Sequence, residues 1–92
     1  MATRIELIPT LTHCIQTTAK REFSRGLDEY LQNDEEDEEL GARTELLRLF
    51  LESADMRELR RQSEKHLVEG RTVRFTLYLE AGEPRYEMRV DE

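Results

Sequence analysis

His13 and Cys14 stand side by side, and with His66 they are all the imidazole and thiol groups that the 92 residues contain. A thiolate activated by an imidazole is a common nucleophile. Adjacent residues do not form that pair unaided, because on a helix their side chains diverge by about 100° and on a strand they take opposite faces. His66 could meet them only through the fold, and no acid or oxyanion motif accompanies it. Cys14 is therefore read as a semi-buried structural cysteine. The four glycines are spread singly, so no phosphate-cradling loop exists, and neither a zincin helix nor a nucleophile elbow occurs. The chain is expected not to be an enzyme and to carry no cofactor.

Six acids run without a break from Asp34 to Glu39. A helix-loop-helix calcium site needs oxygen ligands at alternate positions, a central glycine and a terminal glutamate. Here Gly41 follows the acids and the alternation is missing, so no metal site is expected. Acids just before a helix interact favourably with its partly positive first turn, by about 0.3–1 kcal/mol each, while repelling one another. Residues 33–41 thus read as an acidic connector between the first and second helices, ending in a charge-complemented helix start. A further reading lets the acids shield or attract the basic third helix, within the molecule or on a neighbour.

The cations gather later. Arg57, Arg60, Arg61 and Lys65 lie close together on one helix surface, with Arg71 and Arg74 just beyond, and Tyr78, Arg85 and Arg89 follow on strands. Arginine grips carboxylate or phosphate with a planar fork, and Tyr and Arg are enriched where partners bind most tightly. The plainer alternative is a solvated face with Arg60–Glu64 and Lys65–Glu69 pairs, each worth about 0.2–0.5 kcal/mol.

The elements that place these groups follow from side-chain rhythm. Leu11, Ile15, Ala19, Phe23, Leu27 and Leu31 recur every fourth residue and predict a first helix, firm over 18–31, whereas 10–17 also fits an extended segment. Gly26 sits beside Leu27 where a neighbouring helix could approach closely. Leu46, Leu47, Phe50, Leu51 and Ala54 make the wide apolar face of a second helix. Asp55 and Glu58 form an aspartate version of the capping box for a third helix with Met56, Leu59, Ser63 and Leu67 on one side, and Gly70 ends it. The rhythm then changes to two. Val73, Phe75, Leu77 and Leu79 alternate with polar residues, as do Tyr86, Met88 and Val90, which predicts a C-terminal antiparallel β-hairpin. A four-residue loop, Ala81 to Pro84, sets Leu79 against Tyr86, Leu77 against Met88, Phe75 against Val90, Glu80 against Arg85 and Arg74 against Asp91. Thr3 to Ile8 is a candidate third strand, with Ile5 and Leu7 facing inward.

One small domain, 1–92, is expected, because a chain of this length supports a single modest core. The fold class is α+β, three helices packed on the hairpin. A net charge of −7 disfavours non-specific attraction to nucleic acid and anionic lipid. No run approaches the about 20 apolar residues of a membrane span. Arg4, Glu6, Pro9 and His13 interrupt any secretion signal, and a lone cysteine suits a reducing cytoplasm. The expected function is a non-catalytic protein–protein interaction or regulatory module using Arg57, Arg60, Arg61, Lys65, Arg74, Tyr78, Arg85 and Arg89. Its partner is another protein or a second copy, since a hairpin edge accepts a strand from another chain. The alternative is a nucleic-acid-associated regulator using the basic third helix and the hairpin.

Overall fold

A computed structural model describes residues 3–32 and 38–91. In chain order the elements are β1 (Arg4–Leu7), α1 (Ile15–Gln32), α2 (Glu38–Ser53), α3 (Met56–Leu67), β2 (Thr72–Glu80) and β3 (Glu83–Asp91). The fold is α+β, as the change of rhythm after Gly70 predicts. The strands form one antiparallel sheet in the order β1-β2-β3, so the candidate N-terminal strand is present and the central strand is the first arm of the hairpin.

Strand alternation explains the layering. Ile5, Leu7, Val73, Phe75 and Leu77 project from one face of the sheet and are buried with Ile15, Ala19, Leu46, Leu47, Phe50 and Leu59 from the helices. The opposite face carries Arg4, Glu6, Arg74, Thr76, Tyr78, Arg85, Glu87 and Arg89, each exposed or half-buried. Helices therefore cover one side of the sheet and solvent the other. Among the described residues, no helix is long and apolar enough to cross a membrane.

Several expectations are corrected. The helix α1 starts at Ile15, and Thr10 closes a local turn ahead of it: His13 N–H donates to Thr10 Oγ1 at 3.0 Å, and Thr10 N–H donates to the His13 carbonyl at 2.8 Å. That turn leaves Leu11 outside the apolar stripe, 59% exposed. Of the acidic connector, Glu38 to Gly41 belong to α2, with Glu38 and Glu39 in its first turn where their charge suits the helix dipole. Residues 33–37 lie outside the described residues.

The hairpin register also differs, by two residues. Glu80 opposes Glu83, Leu79 opposes Pro84, Leu77 opposes Tyr86, Phe75 opposes Met88, Val73 opposes Val90 and Arg74 opposes Arg89. The turn is Ala81-Gly82, both at positive φ (53° and 80°), the backbone hand that matches strand twist in a two-residue hairpin. Proline fits this turn. In such a hairpin the closing pair is hydrogen-bonded and the next is not, so Pro84 directs its donor-free nitrogen to the open edge of β3. A shift of two preserves which residues face inward.

The third helix begins and ends as its sequence predicts. The Asp55 side chain accepts from Glu58 N–H at 3.1 Å, although the Glu58 carboxylate turns to Arg61 and Gln62 rather than back to the cap. Gly70, at φ 84°, closes a Schellman turn in which Arg71 N–H donates to the His66 carbonyl and Gly70 N–H to that of Leu67.

Candidate functional site

On α3, Leu59 and Ser63 are buried against the core. Helical spacing from these two turns Glu58, Gln62, Lys65 and His66 toward one flank, Arg60 toward the other, and Arg57 and Arg61 outward. The first flank meets the edge strand. Glu58, Arg61, Gln62, Lys65, His66 and Met88 line an open groove of about 570 Å³ between α3 and β3. Its floor is apolar because Met88 projects inward from β3, and its α3 wall carries the Arg61 and Lys65 cations beside the Glu58 carboxylate, Gln62 and His66. Beyond it, Tyr86 stacks edge-on to Phe50 with ring centroids 6.1 Å apart and remains 42% exposed. The residues of β3 are thus less covered than Val73, Phe75 and Leu77 of β2, which are fully enclosed.

Within the groove, Arg61 donates to Glu58 at 2.5 Å and Gln62 donates to the same carboxylate at 3.0 Å. The Arg61 hydrogen bond first, and the Gln62 bond second, hold the Glu58 carboxyl below the ordinary glutamate range. Arg71 NH1 lies 3.2 Å from His66 Nδ1. Guanidinium can only donate, so Nδ1 is the acceptor in this contact. Lys65 makes no salt bridge among the described residues: Glu69, its expected partner, instead pairs with Arg71 at 2.7 Å. Lys65 is therefore available to an incoming anion.

The remaining expected site residues lie elsewhere. Arg57 is exposed and forms no salt bridge among the described residues, and Arg60 is bound to Glu64 at 2.8 Å. Arg74, Tyr78, Arg85 and Arg89 occupy the outer sheet face, separated from α3 by the sheet itself. There Arg74 donates to Asp91 at 2.6 Å and to Glu6 at 2.8 Å, linking all three strands, so its contact with Asp91 forms although Arg89 is its direct neighbour. The Arg4 guanidinium carbon lies 5.6 Å from the centroid of the Tyr78 ring, and Arg85 pairs with Glu83 at 2.9 Å. The eight residues thus form two groups, of which only Arg61 and Lys65 share a concave surface. Sequence spacing did not single out His66 and Met88 for this groove, and the signal available was the inward parity of Met88.

Cys14 immediately precedes α1, with Sγ 3.4 Å from Thr17 Oγ1. The Thr17 side chain is the main influence holding the thiol below its ordinary value, and the nearby Arg60 charge acts in the same direction. Neither His13 nor His66 is hydrogen-bonded to it among the described residues, where no group of three or more His, Cys, Asp and Glu side chains is placed to hold a metal ion.

The chain belongs to a protein family whose model matches residues 1–91. It is similar to an uncharacterised protein of Archaeoglobus fulgidus, 44% identical over 52 residues, which cover 54% of this chain and 61% of that relative. No solved structure matches it.

Proposed function

We propose that this family member is a non-catalytic cytoplasmic interaction module that docks an acidic segment of another protein in the groove between α3 and β3. The observation that carries this is the convergence of Arg61, Lys65 and His66 around Met88 on one open concave surface. A bound segment would place a bulky apolar side chain on Met88 and carboxylates against Lys65 and Arg61. Lys65 is the stronger electrostatic contributor, because Arg61 must first be shared with Glu58. The apolar floor supplies burial, while the cations select an acidic partner and speed its encounter.

Peptide-display selection on the immobilised full chain tests this. Recovered sequences should be acidic with one large apolar residue, and should bind Lys65→Glu at least about tenfold more weakly, the effect of about 1.4 kcal/mol. Tyr78→Ala, on the other side of the sheet, should bind them unchanged. Peptides without acidic character, or equal binding to Lys65→Glu, would count against the groove. The nucleic-acid alternative has less support, because the cations are divided between two faces and several are already paired with carboxylates.

A further inference from the structure

The open edge of β3 carries its own pairing instructions. The edge is nine residues long, against four on β1. Because Glu80 and Glu83 close the two-residue turn, the N–H and C=O groups of Glu83, Arg85, Glu87, Arg89 and Asp91 point to β2, and those of Tyr86, Met88 and Val90 point away from it. These three residues leave a template of unpaired backbone groups. Their side chains lie on the inner face, which is incompletely covered, while Arg85, Glu87, Arg89 and Asp91 alternate in charge on the outer face.

We infer that β3 pairs antiparallel with β3 of a second copy about a two-fold axis at Met88, joining two three-stranded sheets into one of six strands. This register satisfies the outward backbone groups of Tyr86, Met88 and Val90 and the outer-face charges together. Met88 meets Met88 of the second copy, and Tyr86 meets its Val90, on the inner face. These are the hydrogen-bonded pairs, so all three outward-pointing residues of each copy are satisfied. On the outer face Glu87 meets Arg89 and Arg85 meets Asp91, each twice by symmetry. Moving the axis to Glu87 sets Glu87 on itself and Arg85 on Arg89. Moving it to Arg89 sets Arg89 on itself and Glu87 on Asp91. An axis at Tyr86 keeps opposite charges together but brings Pro84 into two hydrogen-bonded pairs, each lacking the proline N–H. Cross-strand charge complementarity and donor supply therefore select the same register.

The pairing shares Met88 with the groove but rests on different features, the backbone edge and the outer-face charges rather than the Arg61 and Lys65 cations. Its test is sedimentation equilibrium of the full chain, combined with residue-resolved hydrogen exchange. The wild-type mass should approach twice 10.9 kDa as concentration rises, with the Tyr86, Met88 and Val90 amides exchanging slowly. Glu87→Arg or Arg89→Glu alone should weaken association about tenfold or more, by setting like charges opposite twice. The double variant Glu87→Arg/Arg89→Glu should restore it. Within one copy Glu87 opposes Thr76 and Arg89 opposes Arg74, so a folding defect would not be rescued in this way. Lys65→Glu should leave the mass unchanged. A monomer at every concentration, or a dimer in which those three amides exchange freely and the double variant is not rescued, would overturn the inference.

Discussion

Gly26 of α1 faces Thr44 of α2 so closely that a β-carbon on Gly26 would lie 2.9 Å from Thr44 Oγ1. Thr44 is buried, and its hydroxyl donates to the Leu40 carbonyl at 2.8 Å, so it cannot swing aside without losing that bond. The same helix pair has a second tight point, where a β-carbon on Gly41 would meet the Tyr30 ring at 2.9 Å. These contacts set how α1 and α2 lie together and hence where α2 delivers Phe50 to the sheet.

Gly26→Ala should therefore destabilise the fold. Alanine gains about 1 kcal/mol of helix propensity over glycine, while overpacking a buried contact costs about 1–3 kcal/mol. A net loss of about 1 kcal/mol is expected from urea unfolding. In a Thr44→Ala background the obstructing oxygen is gone, and the same substitution should become stabilising. A stabilising Gly26→Ala in the wild-type chain would refute the close approach.

Ala81 holds φ at 53°, where an alanine is strained by about 1 kcal/mol. Asparagine tolerates that conformation and, before glycine, is the strongest two-residue hairpin signal. Ala81→Asn should raise stability by about 0.5–1 kcal/mol, and Ala81→Val should lower it, as measured by thermal unfolding. A neutral Ala81→Val would place the turn elsewhere.

The hairpin register explains what the chain's sequence could and could not disclose. The parity of Val73, Phe75 and Leu77 set the inward face of β2, and Ile5 and Leu7 set that of β1, because burying one face of a sheet leaves a two-residue repeat. The register within that parity was hidden. It depends on Ala81 accepting a left-handed conformation that its side chain disfavours, which neither composition nor alternation advertises. Leu11 was misplaced for a related reason: it continues the four-residue spacing, but Thr10 engages the backbone first. The outer arginines were visible as residues, whereas their division by the sheet and the partnership of Lys65 with Met88 arise only from tertiary packing.

The third helix gives a pH dependence. The folded Glu58 carboxyl is depressed below 4.5, first by Arg61 and then by Gln62. A depressed carboxyl adds stability that is fully present above its unfolded value, and loses it as pH falls through the folded value. Acid unfolding of the wild type should therefore show a small contribution in that window below pH 4.5, and Glu58→Gln should remove it. Solvent exposure keeps the effect small. An unchanged acid limb in Glu58→Gln would show that the carboxylate has no folded-state partner.

Engagement of the groove can be read at one atom. The chain has three methionines, Met1, Met56 and Met88, and so gives three methyl resonances when labelled with 13C at those methyls. Titrating display-selected acidic peptides into the full chain at fixed protein concentration should shift the Met88 methyl saturably, and Lys65→Glu should abolish that shift at the same peptide concentration. Saturable binding that leaves the Met88 methyl unmoved would contradict the groove as the docking surface.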